Sequence, residues 1–243
     1  MTLIDVGLEN KIIEFLKKEK KLIIFDVGCY RGSFTKKVLK LIRKEKIKFY
    51  LFDANQNVKI YIADLLKLRN IHYNEVALHN KNGQEIYHHN ASFESSGSSL
   101  STIIKNDSFW ILSRKIILKL FFLSTKGFSK YSVSTITLDN FVKKNKIKSI
   151  DLLKIDIEGS EHLMLQGAKK TLINNKIKTI LIEICDKKNI YEKKEKRVLN
   201  FLKKYNFCLI KKNIYFSPSF LSNHMAGDYQ LINNSYFAKS LKK

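Results

Sequence analysis

Apolar positions along this chain fall into short strand-length runs that alternate with stretches of helical spacing. Leu22-Ile23-Ile24-Phe25 is such a run, ending at Asp26-Val27-Gly28, and Ser33 to Arg43 then follows a helical pattern. The alternation repeats as a strand over Ile47 to Phe52, a helix over Val58 to Leu68 and a strand over Ile71 to Leu78. It returns as a strand over Ile150 to Ile157, a helix over Ser160 to Ile173, a strand over Ile177 to Ile184 and a helix over Tyr191 to Tyr205. Ile4, Leu8, Ile12, Phe15 and Leu16 predict an amphipathic helix within residues 1–21. Such alternation implies right-handed βαβ units and a mostly parallel sheet, an α/β fold. The tail predicts late strands over Phe207 to Ile210 and Tyr229 to Asn233, joined by an irregular segment or a hairpin.

Between Leu78 and Leu138 the alternation breaks. Asn82-Gly83 is a turn signal between short strand-like stretches, and Ser95 to Ser99 reads as a loop. Phe109 to Leu123 is too short and too charged to cross a bilayer, and two readings stay open for it: a core helix, or an interfacial helix in peripheral contact with a membrane. The insertion over residues 91–130 is the candidate substrate cap. With no Pro/Gly linker and no internal repeat, the 243 residues are read as a single domain, 1–243.

Charge changes the picture less than its size suggests. The formal net charge of +23 invites a nucleic-acid or anionic-membrane partner. Arg, the residue suited to bidentate phosphate contacts, occurs only at positions 31, 43, 69, 114 and 197, and the surplus is Lys spread over helix faces. No nucleic-acid partner is expected on that ground. Cys29, Cys185 and Cys208 form no C-x-x-C pair, which argues against a disulfide framework or a zinc site and for a reducing compartment. Residues 1–21 lack the apolar core of a signal peptide, so the expected location is cytoplasmic.

Candidate chemistry concentrates at two strand ends. Asp26-Val27-Gly28-Cys29-Tyr30-Arg31-Gly32 links the first strand to a helix, and its glycines allow close backbone approach to a ligand. A dinucleotide fingerprint would place Gly where Tyr30 stands, which disfavours a nicotinamide cofactor. Asp53 ends the second strand, where an acidic side chain can accept both hydroxyls of a ribose. Loop and acid together predict a nucleoside cofactor. Farther on, Leu152 to Glu161 brings Lys154, Asp156, Glu158 and Glu161 to the mouth of the next helix. Lys154 and Asp156 are two apart, share a strand face and can pair.

In these pieces the chain resembles the FkbM family of S-adenosylmethionine-dependent methyltransferases. The resemblance runs over Ile23 to Cys185 through Phe25-Asp26-Val27-Gly28 with Gly32, Phe52-Asp53, Glu75-Val76-Ala77-Leu78 with Asn82-Gly83, and Thr135-Ile136-Thr137-Leu138-Asp139. Its most specific part is Leu153-Lys154-Ile155-Asp156-Ile157-Glu158-Gly159-Ser160-Glu161 with Gly167-Ala168. Glu183 closes a further strand as a family acid often does. The chain departs at Cys29-Tyr30, usually Ala-Asn in the family, and at Asp53-Ala54, commonly Glu-Pro.

The resemblance implies a doubly wound, Rossmann-like class I methyltransferase sheet with a reversed last strand. It also implies S-adenosyl-L-methionine as cofactor, and methylation of a hydroxyl on a sugar, a glycan or a small metabolite. Asp26, Gly28, Tyr30, Gly32, Asp53 and Ala77 are the expected cofactor residues. Asp156 or Glu158 is the expected base, worth roughly 10² to 10⁴ in rate, with Lys154 keeping the carboxylate ionised or stabilising an alkoxide. A divalent cation on Asp156, Glu158 and Glu183 is an alternative, though no metal site is predicted. Structural roles stay open for Asp26 as an organiser of the glycine loop, for Lys154 with Asp156 as an ion pair, and for Glu158 and Glu161 at a helix terminus. Two rival functions share these residues: RNA methylation, and a catalytically inactive nucleotide-fold module that binds a partner through residues 109–123.

Overall fold

The computed structural model describes residues 13, 16–17, 19–90, 99–100, 128–219 and 222–236. The segment read as a core or interfacial helix, residues 109–123, lies outside them, as do most of the N-terminal helix and of the candidate cap. Strand β1 (Leu22–Val27) leads to α1 (Ser33–Leu41), β2 (Ile47–Asp53), α2 (Val58–Tyr61), β3 (Ile71–Glu75) and β4 (Ala77–Leu78). Next come β5 (Gly83–Asn90), β6 (Ser99–Leu100), β7 (Phe128–Ile136), α3 (Leu138–Lys144) and β8 (Ile150–Ile155). The chain continues through α4 (Glu161–Gln166), α5 (Lys169–Ile173), β9 (Ile177–Lys187), α6 (Lys188–Lys204), β10 (Phe207–Ser219) and β11 (Ser222–Asn233).

Among the described residues the main sheet has seven strands in the order β10-β11-β9-β8-β1-β2-β3. Its pairs from β9 through β3 are parallel, and β11 runs antiparallel to both β9 and β10. The reversed last strand is thus present. Side chains alternate between the faces along each strand, so neighbours in sequence serve two cores. Phe25, Phe52, Leu153, Ile155 and Ile182 pack with Met164, Leu165, Val198 and Leu202 on one side. Ile24, Leu51, Leu152 and Leu181 pack with Ile13, Leu16, Phe34 and Val38 on the other. Burial on both faces is what the near-continuous apolar runs encode.

Three sequence expectations need correction, and of the two alternatives for the tail the structure has the hairpin. The strand expected over Ile71 to Leu78 is split at Val76, whose N–H bonds back to the Asn74 carbonyl at 2.9 Å and turns the chain out of the main sheet. Ala77–Leu78 then joins a second, four-stranded sheet in the order β4-β7-β5-β6, which periodicity did not reveal. The helix expected over Val58 to Leu68 keeps one turn and a 3₁₀ turn at Leu65–Lys67, an arrangement that packs both Ile62 and Leu65 against Gly32. The helix over Ser160 to Ile173 breaks at Gly167. Asp139 of α3 caps the new start, accepting from the N–H groups of Lys170 and Thr171 at 2.9 and 2.7 Å and from the Thr171 hydroxyl at 2.7 Å. Finally, the late strands form one long hairpin, paired from Phe207 with Asn233 out to Ser219 with Ser222 and irregular only between Leu209 and Lys211.

Tyr191 of α6 and Tyr229 of β11 tie the hairpin to the core through a 2.5 Å contact between buried hydroxyls. Tyr191→Phe is expected to cost about 1 to 2 kcal/mol, which thermal unfolding would register as a Tm lower by roughly 2 to 8 °C.

Candidate active site

The carboxyl edge of the main sheet gathers the acidic strand ends. Val27 pairs with both Phe52 and Ile155, Ile155 pairs with Ile182, and Glu183 pairs with Asp228. One step beyond the first three pairings stand Asp53, Gly28, Asp156 and Glu183, so acids from β2, the loop after β8, β9 and β11 follow one line across the sheet. Ligands of open α/β sheets bind at this edge.

Gly28 is the close-approach point of that line. Its φ is +77°, and a Cβ added there would lie 1.7 Å from the Asp156 carbonyl oxygen. The Asp156 N–H bonds to the Val27 carbonyl at 2.9 Å, so β1 and the chain leaving β8 run in backbone contact. The loop is stitched to β2 as well: Gly28 and Cys29 donate to the Phe52 carbonyl at 2.9 and 3.2 Å. Tyr30, at φ +44°, donates its N–H to Asp53 Oδ2 at 2.9 Å, and Asn55 donates to Asp53 Oδ1 at 2.9 Å. Gly32 caps α1 at φ +68°. Burial pushes the Asp53 carboxyl up to about 6 against the pull of the Asn55 and Tyr30 N–H groups.

Beneath the edge lies a buried cluster of charges. Lys154 Nζ stands 3.3 Å from Asp26 and 3.2 Å from Asp156, and donates to the Gly28 carbonyl at 3.3 Å. Burial acts to lower the Lys154 pKa, but the Asp156 and Asp26 carboxylates outweigh it and the net shift is upward. Asp26 has no exposed surface and also accepts from the Thr35 hydroxyl at 2.8 Å. Burial raises its pKa, and Lys154 works against that. Asp26 therefore faces Lys154 and Thr35 beneath the glycine loop.

Beyond Asp156 the chain turns through Glu158 and Gly159, both at positive φ (+49° and +107°). The Glu158 carboxylate is half-buried and takes a hydrogen bond from the Cys185 thiol at 3.3 Å. Burial first, and Asp156 next, push its pKa up to about 7. Glu183 is raised too, by burial and then by Asp156, Asp228 and Glu158. Glu161, read as a helix-terminus acid, is a fully buried ion-pair partner of Lys194 at 3.1 Å. His162 packs on Phe201 and Gln166, and burial lowers its pKa to about 4.

Around the cofactor side, Ala77 packs with Ala54, Tyr87 and Val133 into a small apolar cluster just past Asp53. The Arg31 guanidinium lies 5.3 Å from the Tyr30 ring centre and 5.1 Å from that of Tyr61, a cation–π bracket at the loop's outer side. Among the described residues no group of three His, Cys, Asp or Glu is placed to hold a metal ion. Thr35, Cys185, Lys194 and Asp228 escaped the sequence reading. The first could have been sought as a polar residue on an otherwise buried helix face; the others are brought in only by tertiary pairing.

Comparisons with known proteins show the family and the fold. The Methyltransferase FkbM domain matches residues 26–209. The 2-O-methyltransferase NoeI of Sinorhizobium fredii (strain NBRC 101917 / NGR234) is 26% identical over 193 residues, 77% of this chain and 72% of that protein. The crystal structure of Methyltransferase FkbM from Methylobacillus flagellatus KT superposes with a TM-score of 0.52 at 10% identity, covering 86% of this chain. The chain spans only 44% of that structure's length, so the likeness extends to the fold alone. No helix among the described residues is long and apolar enough to cross a membrane. From the family match over most of its length, the chain belongs to the FkbM methyltransferase family.

Proposed function

We propose that the protein transfers a methyl group from S-adenosyl-L-methionine to a hydroxyl of a sugar, a glycan or a small metabolite. The observation that carries this reading is the clamped Asp53 carboxylate standing one loop away from Asp156 and Glu158 on a single edge. Each Asp53 oxygen spends one lone pair on a backbone N–H, and a carboxylate has further acceptor positions for a ribose diol. Ala54 and Ala77 offer small apolar surface beside it for a flat base. The acidic line suits a cation. These features fit S-adenosyl-L-methionine, with Asp53 as ribose acceptor and the Gly28 to Gly32 loop beside the amino-acid end. When bound, that cofactor supplies an electrophilic methyl on a sulfonium.

The chain's own residues then have separate tasks. Lys154 pairs with Asp156 and Asp26 and holds the Gly28 carbonyl, so the loop and the end of β8 act as one rigid floor. Glu158 accepts the proton of the acceptor hydroxyl; a base works best with a pKa near the operating pH. Asp156, held by Lys154, orients that hydroxyl. The name of the Sinorhizobium relative, a 2-O-methyltransferase, supports oxygen as the acceptor atom.

Calorimetry tests the cofactor half directly. Wild-type protein is expected to bind S-adenosyl-L-methionine, and Asp53→Ala to bind it about 10- to 100-fold more weakly, the worth of hydrogen bonds to a charged group. Affinity is also expected to fall as pH drops below about 6, because a protonated Asp53 loses acceptor capacity. Unchanged binding in Asp53→Ala would reject this placement.

A further inference from the structure

Two supports hold the Glu158 turn, and both lead to one lysine outside the family motif. The first is Glu161, whose Oε1 accepts the Gly159 N–H at 2.6 Å. Its Oε2 lies 3.1 Å from Lys194 Nζ, with the Glu161 side chain fully buried and that of Lys194 12% exposed. The second is Cys185, whose thiol donates to Glu158 Oε2 at 3.3 Å. The carbonyl of the same residue accepts from Lys194 Nζ at 2.8 Å. Asp186, 3.7 Å from Lys194, completes the set of charges around it.

We propose that Lys194 and Glu161 are positioning residues, a clamp reaching from α6 that fixes Gly159 and Cys185 and through them the direction of the Glu158 carboxylate. The inference rests on reading Glu158 as the proton acceptor. Glu158 and Gly159 both occupy the left-handed region, where a non-glycine residue persists only if its surroundings hold it. Gly159 is held by Glu161. Glu161 in turn is buried with Lys194 facing its second oxygen at 3.1 Å, so removing either partner alone would leave the other buried without it. Lys194 thus acts on the reaction without touching substrate.

A structural ion pair and a clamp differ in what an apolar replacement restores. Swapping both members of a buried pair for apolar residues is often neutral for stability. Lys194→Met with Glu161→Met removes the charges and the Gly159 acceptor, whereas Lys194→Met with Glu161→Gln removes the charges and leaves an amide oxygen for that N–H. Both double variants are expected to keep a near wild-type Tm and cofactor KM. Turnover should fall in both, because the Cys185 carbonyl loses Lys194 in each, but further in the first, by about 10-fold or more, as misplacement of a catalytic group does, and only in the first should the Gly159 amide exchange hydrogen quickly. Equal turnover and equal exchange in the two would overturn the clamp. If neither double variant folds, exchange in the wild type decides: the clamp requires Gly159 to be better protected than Ser160, whose N–H makes a longer 3.4 Å bond. Retained turnover in Glu158→Gln would defeat the reaction reading alone, since exchange at Gly159 still reports the clamp.

Discussion

Gly28→Ala is expected to yield a protein that neither binds S-adenosyl-L-methionine measurably nor keeps its wild-type stability. The added methyl would sit 1.7 Å from the Asp156 carbonyl oxygen and 2.8 Å from its carbon, and both atoms are backbone. A flexible side chain could swing away; a backbone carbonyl at a strand end cannot. Relief requires separating the end of β1 from the end of β8, which breaks the 2.9 Å bond from Asp156 N–H to the Val27 carbonyl. The left-handed φ of +77° adds a further penalty of about 1 to 2 kcal/mol for any residue with a Cβ. The sum is about 3 kcal/mol or more, at the upper end of single-substitution effects. Gly83→Ala serves as the control. It too has positive φ, +136°, but its Cβ would meet nothing within 4 Å. Thermal unfolding and calorimetry on the two variants separate steric collision from backbone preference: a Gly28→Ala protein as stable as Gly83→Ala would contradict the close approach.

Glu158→Gln is expected to lower kcat by roughly 10² to 10⁴, the usual contribution of a positioned base. The amide keeps size and shape and can still accept from the Cys185 thiol, so cofactor affinity should change little. The sign of the pH effect follows from the raised pKa. Below about 7 the wild-type carboxyl is protonated and cannot accept a proton, so kcat rises with pH through that value and levels above it. Glu158→Gln should lose this limb altogether. Asp156→Asn should slow the reaction while keeping the limb, because its partner Lys154 tunes the floor and the titrating group remains. The same raised values bear on stability. Asp53 and Glu158 hold protons more tightly when folded, so their contribution is fully present below the unfolded carboxyl range and is lost as pH rises through about 6 and 7.

The parallel sheet was legible because its strands are apolar on both faces and its helices carry a clear period. The second sheet was not. Its strands β5 and β7 are polar in sequence, QEIYHHN and SKYSVSTI among their residues, and β4 has only two residues. β10 was read too short because Lys211-Lys212-Asn213 interrupts its apolar pattern, as suits an edge strand. At the site, Asp53, Gly28, Lys154, Asp156 and Glu158 could be found from position at strand ends and from spacing. Asp26 could be found as well, but its burial against Lys154 could not. The Lys194 and Cys185 supports depend on contacts between elements far apart in sequence, and no local pattern marks them. Glu161 shows the limit most clearly: next to a helix start it reads as a terminus acid, and only the position of α6 turns it into half of a buried pair.

The most direct test of the whole account is the fate of the methyl carbon. Wild-type protein is incubated with S-adenosyl-L-methionine carrying a ¹³C methyl and with a glycan fraction of cells lacking the gene, and the product is read by carbon NMR. Label is expected in a methoxy group on a sugar, formed by the wild type and strongly reduced in Glu158→Gln. Label on nitrogen or carbon, label entering RNA in a parallel incubation, or label left entirely on the cofactor would contradict it.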